Sequence, residues 1–111
     1  MRTGVIVLTI IPQDDQQKKR PVLVLKIFPK YNDLPVCAVS SQLHQCIPGF
    51  DLMLDEKHEA FSLTHLKGSS VFRLSNLAVL SKQDIIGTIG TLRSDLHLIL
   101  LQNLANYLLT E

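Results

Sequence analysis

The feature that most constrains the fold is a succession of short apolar runs, rich in β-branched residues and separated by polar or turn-forming stretches. Such runs are typical of β-strands, and strands that follow one another directly in sequence favour antiparallel pairing. We therefore predict a mainly β domain whose meander-like sheet curls into a small barrel. The predicted strands are 4–11, 20–28, 34–41, a short one within 50–54, and one or two within 70–80.

Two helix starts are visible in the last third of the sequence. Ser81 and Asp84 have the spacing of a capping box, and Gly87 would end this short helix. A second helix is predicted to start near Ser94 and to end near Leu109. Its apolar stripe is wider than a helix on one surface needs, so we expect one flank to face the core and another to face a second subunit.

Length and charge limit the kind of protein this is. The chain has 111 residues, of which 46% are hydrophobic, so we expect one packed domain over 1–111. The formal net charge is only +1, so no general basic field attracts the protein to nucleic acid. Any contact with RNA or DNA must be local, through a patch such as Lys18–Lys19–Arg20.

Cysteines, histidines and long apolar runs bear on cofactors and location. Cys37 and Cys46 show no metal-ligand spacing and the four histidines are scattered singly, so we expect no metal and no cofactor. The N-terminal apolar run is too short for a signal peptide, and the run 98–101 is far below the roughly 18 residues that span a bilayer. We expect a cytoplasmic protein with reduced thiols and no membrane contact.

The stretch KKRPVLVL places Arg20 where a polar loop ends and a predicted strand begins, because proline is tolerated as an early strand residue. Pairing Phe28 with Leu34 across the turn PKYND would put Val22 opposite Ser40, with Arg20 as a diagonal neighbour of Ser40. A guanidinium beside a hydroxyl can bind phosphate. An arginine and a serine at a strand end can equally be solvated edge residues, so spacing alone leaves both interpretations open.

The order of several stretches resembles the MazF/PemK family of toxins from type II toxin–antitoxin systems, across essentially the whole chain. The most specific pieces are the Arg-Pro that enters the second strand, at Arg20, and the hydroxyl pair and glutamine that close the third, Ser40, Ser41 and Gln42. The resemblance implies a small SH3-like antiparallel β-barrel with a short helix and a C-terminal α-helix. It also implies a homodimer.

The activity implied by the resemblance is that of a sequence-specific endoribonuclease toxin, independent of metal, that cleaves single-stranded mRNA. The 2′-hydroxyl of the RNA attacks its own phosphate, which leaves a cyclic phosphate and a 5′-hydroxyl end. A cognate antitoxin protein would neutralise the toxin. Two alternatives remain open: a toxin of the same fold that poisons DNA gyrase, and an inactive relative that only dimerises or binds an antitoxin.

The resemblance transfers roles to individual residues. Arg20 matches the catalytic arginine, and Ser40 matches the catalytic hydroxyl, which is commonly threonine in the family. Asp15 and Ser41 are candidates for a catalytic or RNA-binding role. RNA-binding roles are expected for three further residues, Lys18, Lys19 and Gln42. The family often has Gly-Asp at the start of the first strand, whereas Val5 follows Gly4 here.

The proton-transfer group is not identified by the sequence. Arginine is too basic to act as a general base, so Asp15 or a histidine would have to serve. His44 lies nearest the hydroxyl pair but is expected to be a solvated loop residue. His58 and His65 are weaker candidates, and His97 is predicted to lie on the surface of the second helix.

Overall fold

The structure, a computed structural model, describes residues 2–10 and 17–110. Six antiparallel strands form one sheet in the order β4-β5-β3-β2-β1-β6, and one helix follows them. Their bounds are β1 Val5–Ile10, β2 Lys19–Val24, β3 Leu34–Ser40, β4 Leu52–Leu54, β5 Ser70–Leu80, β6 Ile85–Thr91 and α1 Ser94–Leu109. The predicted mainly β fold with a C-terminal helix is confirmed.

The sheet is open at its two ends. Its edge strands are β4 and β6, and within residues 2–10 and 17–110 no ladder joins them. The hydrogen-bonded barrel expected from the sequence is therefore not closed. The sheet bends at a bulge in β5, where Cys37 pairs with Leu77 but Ala38 pairs with Arg73, because extra residues in one strand increase its local twist.

The short helix predicted after Ser81 is a single 3₁₀ turn, Lys82–Asp84. The capping box is present, since the Ser81 amide donates to Asp84 Oδ2 at 2.9 Å. The helix does not continue to Gly87 because residues 85–91 pair with β1 as β6. β-branched residues fit a strand better than a helix, so the prediction that Gly87 ends a helix is wrong.

Apolar side chains are buried on both faces of the central strands, which explains the nearly continuous apolar runs. Side chains alternate between the two faces of a strand. On one face Ile6 and Leu23 pack with Leu96 and Leu100 of α1. The other face holds a cluster of smaller side chains, Val5, Val7, Val22, Val24, Leu34 and Val36. Each fully buried side chain of this size contributes roughly 1.5–3 kcal/mol.

His97 is buried in α1, with 7% of its surface exposed, so its predicted surface position is wrong. Its Nε2 lies 2.9 Å from the carbonyl oxygen of Leu25, to which it donates a hydrogen bond. Among the described residues its buried Nδ1 has no hydrogen-bond partner. Burial is the largest cause that lowers the pKa of His97; nearby Lys26 lowers it too, and the Leu25 bond opposes both. The bond to Leu25 offsets part of the free-energy cost of burying this ring.

A buried carboxylate fixes the chain beside the β5 bulge. Asp51 is 6% exposed, and its Oδ1 accepts a hydrogen bond of 2.9 Å from the backbone N–H of Leu74. Its Oδ2 accepts one of 2.9 Å from the N–H of Ile47. Asp51 therefore satisfies an amide that the bulge leaves out of the ladder, and it joins the loop before β4 to β5.

Candidate active site

The register of β2 and β3 brings Arg20 and Ser40 together. Val22 pairs with Ala38, so the predicted pairing of Val22 with Ser40 is wrong by two residues. Arg20 and Ser40 each lie two residues beyond the last pair of this ladder, at the same end of the two strands, and both line one groove. The difference arises because the connection is longer than the predicted five-residue turn, since β2 ends at Val24.

A groove of about 890 Å³ opens beside this pair of residues. Its walls come from the ends of β2 and β3, from β5, and from the loop 65–69. The sequence-predicted site residues that line it are Lys19, Arg20, Ser40, Ser41 and Gln42. Lys18 is exposed and is not among the lining residues. Asp15 lies outside the described residues.

The Ser40 hydroxyl is held by two hydrogen bonds. It accepts one of 3.0 Å from the backbone N–H of Gln42 and donates one of 2.9 Å to Oε1 of Gln45. A 3₁₀ turn, Leu43–Gln45, brings the Gln45 amide back to the end of β3. These two bonds fix the rotamer of a serine that lacks the restraining methyl group of threonine.

Positive charge is concentrated in the groove. Lys19 and Arg20 come from β2, Lys67 from the loop 65–69, and Arg73 from β5, and no Asp or Glu is among the described lining residues. The whole chain has a net charge of only +1, so the described surface of this groove is much more positive than the protein surface as a whole. A groove lined by charge of one sign raises the local concentration of the opposite charge, so the arrangement suits a polyanion.

Arg73 is a groove residue that the sequence did not single out. It lies just before the β5 bulge and is half-buried. Its Nη2 donates to Ser75 Oγ at 3.4 Å, but its buried Nε has no hydrogen-bond partner among the described residues. Arg73 therefore adds a fixed positive charge to the wall of the groove, although its buried Nε itself is not exposed to solvent. Arg73 pairs with Ala38 in the regular part of the ladder, two residues from the pair Val71 and Ser40, and this long-range pairing brings it to the groove.

His65 is the second groove residue that sequence reasoning set aside. It follows the 3₁₀ turn Phe61–Thr64 and has a left-handed backbone conformation, with φ 56° and ψ 22°. The turn is anchored by Thr64, which is fully buried and whose Oγ1 donates to the carbonyl of Phe61 at 2.7 Å. Thr64 Oγ1 also accepts from the Leu66 N–H at 3.2 Å. No local spacing in the sequence indicates that this loop folds over the ends of β2 and β3.

The same turn packs closely against β6. An added Cβ at Gly90 would lie 2.6 Å from the carbonyl oxygen of Leu63 and closer still to that of Thr64. Ordinary Cβ contacts are longer than about 3.4 Å, so only glycine fits here. Gly90 thus allows the turn to approach the sheet edge, and the position of His65 and Lys67 at the groove depends on that approach.

Two further features of the described chain concern membranes and metals. No helix within residues 2–10 and 17–110 is long and apolar enough to cross a bilayer. In the same part of the chain, no three His, Cys, Asp or Glu side chains are grouped as they would be to hold a metal ion.

Fold and groove together define a small antiparallel β domain with a groove lined by lysine and arginine side chains. Residues 2–108 match the family described as PemK-like, MazF-like toxin of type II toxin-antitoxin system, so the chain belongs to this family. Among solved structures, the chain is similar to the Mycobacterium tuberculosis toxin MazF-mt6, with a TM-score of 0.70 and 18% identity over 96% of this chain and 98% of that chain. That likeness concerns the fold. No curated protein matches.

Proposed function

We propose that this toxin-family protein is a sequence-specific endoribonuclease that cleaves single-stranded mRNA in the cytoplasm without a metal ion, and that a cognate antitoxin protein neutralises it. The observation that supports this most directly is the position of Arg20 and Ser40 on one groove, which also holds Lys19, Lys67 and Arg73. Family membership supports the same proposal.

Arg20 and Ser40 match the needs of the cleavage step. The RNA 2′-oxygen forms a bond to phosphorus, the bond from phosphorus to the 5′-oxygen breaks, and the products are a cyclic phosphate and a 5′-hydroxyl. Negative charge grows on the non-bridging oxygens in the transition state. Arg20 can donate two hydrogen bonds to them, and Ser40 can donate one if its proton turns away from Gln45. Donors fixed before the reaction stabilise this charge most effectively.

The remaining groove residues are suited to binding the strand. Lys19 and Lys67 can pair with phosphates on either side of the cleaved one, and this charge pairing does not depend on the base. Ser41 and Gln42 can hydrogen-bond to base edges, which would make the cleavage sequence-specific. Lys18 lies next to Lys19 at the start of β2 and can extend the contact along the phosphate backbone.

Cleavage by purified protein tests the proposal. We expect it to cut single-stranded RNA in the presence of EDTA, and Arg20→Ala to lower the rate about 100-fold or more, as for loss of one key oxyanion donor. Lys30→Ala is a matched control, because Lys30 lies over the Tyr31 ring and does not line the groove. An Arg20→Ala variant that cleaves at the unchanged rate would contradict the site assignment.

Expression in cells separates this function from its two alternatives. Transcripts cut at defined sequences, with 5′-hydroxyl ends, would support the nuclease. Intact RNA in cells whose growth has stopped would point instead to a gyrase poison. Normal growth with well-folded protein would point to an inactive relative.

The homodimer is part of the same proposal and is supported by an uncovered apolar surface. It is formed by β5 and α1, where Leu77, Val79, Tyr107 and Leu108 are 48–72% exposed. Beside it lies a groove of about 630 Å³ between α1, β5 and the loop 47–50. Large exposed apolar patches are typical of protein interfaces. We expect sedimentation velocity to give a dimer and Leu108→Asp to give a monomer; a wild-type monomer at micromolar concentration would contradict this.

A further inference from the structure

We propose that His65 is the general base that takes the proton from the attacking 2′-hydroxyl. This assignment rests on the proposed nuclease function and supplies the step that Arg20 and Ser40 leave open. It is based on what lines the groove and on how the fold holds His65 there.

The first argument concerns which described groove residue can accept a proton. Four of them, Lys19, Arg20, Lys67 and Arg73, have cationic side chains, which donate hydrogen bonds and stabilise negative charge but have no basic lone pair. The Ser40 hydroxyl is already hydrogen-bonded on both sides, and amide side chains are not basic. Among the described lining residues, His65 is the one whose side chain, an imidazole, has a nitrogen that can accept a proton.

The second argument concerns how rigidly His65 is placed. Its left-handed conformation, φ 56°, costs an L-residue roughly 1–2 kcal/mol, so the surrounding structure must impose it. That structure consists of the buried Thr64 with its two hydrogen bonds and the close backbone approach at Gly90. The side chain itself is exposed at the groove. Strained residues held in this way are found often at functional sites.

The step balances without another reactant. A neutral imidazole nitrogen of His65 takes the 2′-hydroxyl proton while the 2′-oxygen bonds to phosphorus. The bond to the 5′-oxygen breaks, and that oxygen takes a proton from water. The imidazolium then returns its proton to water, so the enzyme ends as it began. Arg20 and the other groove cations stabilise the charged phosphorane throughout.

His65→Asn is the decisive substitution, because asparagine tolerates a positive φ but has no basic nitrogen. We expect it to lower the cleavage rate by about 10²- to 10⁴-fold, as is usual for loss of a general base. His44→Asn is the matched control: His44 is exposed and does not line the groove, so its rate should stay unchanged. Equal rates for His65→Asn and wild type would overturn the proposal.

Chemical rescue distinguishes proton transfer from a purely structural role. Glycine accepts φ 56° and leaves a space where the ring was, so added imidazole should restore cleavage to His65→Gly in a concentration-dependent way. His65→Gly that is slow but not restored by imidazole would overturn the assignment.

A modified substrate tests which proton is moved. RNA with sulfur in place of the 5′-bridging oxygen has a leaving group that needs no proton. His65→Asn should remain slow on this substrate, since the 2′-hydroxyl still has to lose its proton. Recovery to the wild-type rate would make His65 the general acid and would overturn its role as base.

These outcomes separate failure of this inference from failure of the nuclease function. If wild-type protein does not cut RNA, both proposals fall. If Arg20→Ala loses activity while His65→Asn keeps it, the nuclease function stands and the base lies elsewhere. Loss in Asp15→Asn with full activity in His65→Asn would identify that other base.

Discussion

Replacing Gly90 with alanine tests whether the contact between β6 and the 3₁₀ turn Phe61–Thr64 holds one wall of the groove. The new methyl group would lie 2.6 Å from the carbonyl oxygen of Leu63 and nearer still to that of Thr64. Both neighbours are backbone atoms, so no side-chain rotation relieves the clash. Either β6 or the turn must move by several tenths of an ångström or more.

The size of the effect follows from the stiffness of these neighbours. Overpacking a well-packed site costs about 1–3 kcal/mol, and a clash with backbone on a fully buried residue, Thr64, belongs at the upper end. An unfolding entropy of roughly 2.1 cal/mol/K per residue amounts to about 0.23 kcal/mol/K for this chain. A loss of about 3 kcal/mol therefore corresponds to a fall in Tm of about 13 °C.

Calorimetry on Gly90→Ala and on Gly87→Ala gives the comparison. Gly87 lies in the same strand, and an added Cβ there meets nothing within 4 Å, so we expect a change of about 0.5 kcal/mol or less. RNA cleavage should also fall in Gly90→Ala, because the turn positions His65. If the two variants had the same Tm within about 2 °C, the close approach at Gly90 would not be a real constraint, and the reasoning would be refuted.

Three other predictions concern buried polar groups. Burial lowers the pKa of His97 below 6.5 in the folded protein, so as the pH falls the unfolded chain binds more protons at this residue than the folded chain does, and the free energy of unfolding decreases. Urea titrations at pH 7.5 and 5.5 should show a smaller decrease in the free energy of unfolding for His97→Gln than for the wild type. Asp51→Ala should cost about 3 kcal/mol in urea unfolding because two backbone N–H groups lose a charged acceptor, and a loss below about 1 kcal/mol would contradict this. Burial, with a smaller effect of Asp51, raises the pKa of the Cys37 thiol to about 12. Iodoacetamide at pH 8 should therefore label Cys46 in the native protein, and both thiols only after unfolding. Equal labelling of the two cysteines in the native protein would contradict this prediction.

The sequence is most informative where one residue pattern corresponds to one structure. The limits of β3 and of α1 follow from apolar periodicity and from the polar residues that bound them, and the structure has both as predicted, within a residue. The strand β6 was missed because the capping box at Ser81 and Asp84 is genuine. Local capping indicated a helix, and long-range pairing with β1 decided for a strand.

The candidate site also contains residues that the sequence predicted and residues that it did not. Arg20 and Ser40 are adjacent to strand ends, so their convergence was predictable although the register was off by two residues. Arg73 reaches the groove through the pairing of β5 with β3, and His65 reaches it through a loop that packs against the distant strand β6. Contacts of that kind depend on tertiary packing, which local spacing in one sequence does not encode.

The ladder between β1 and β6 also has a consequence for biosynthesis. It pairs Val5 with Thr91, so 86 residues must be translated after Val5 before its partner in β6 exists. At about 5–20 residues per second this takes roughly 4–17 s. During that interval the ribosome-bound chain exposes Ile6 and Val7, which are fully covered in the finished protein. Since α1 follows β6 in the chain and supplies Leu96 and Leu100 to the core, the core of this domain is complete only after α1 has been translated.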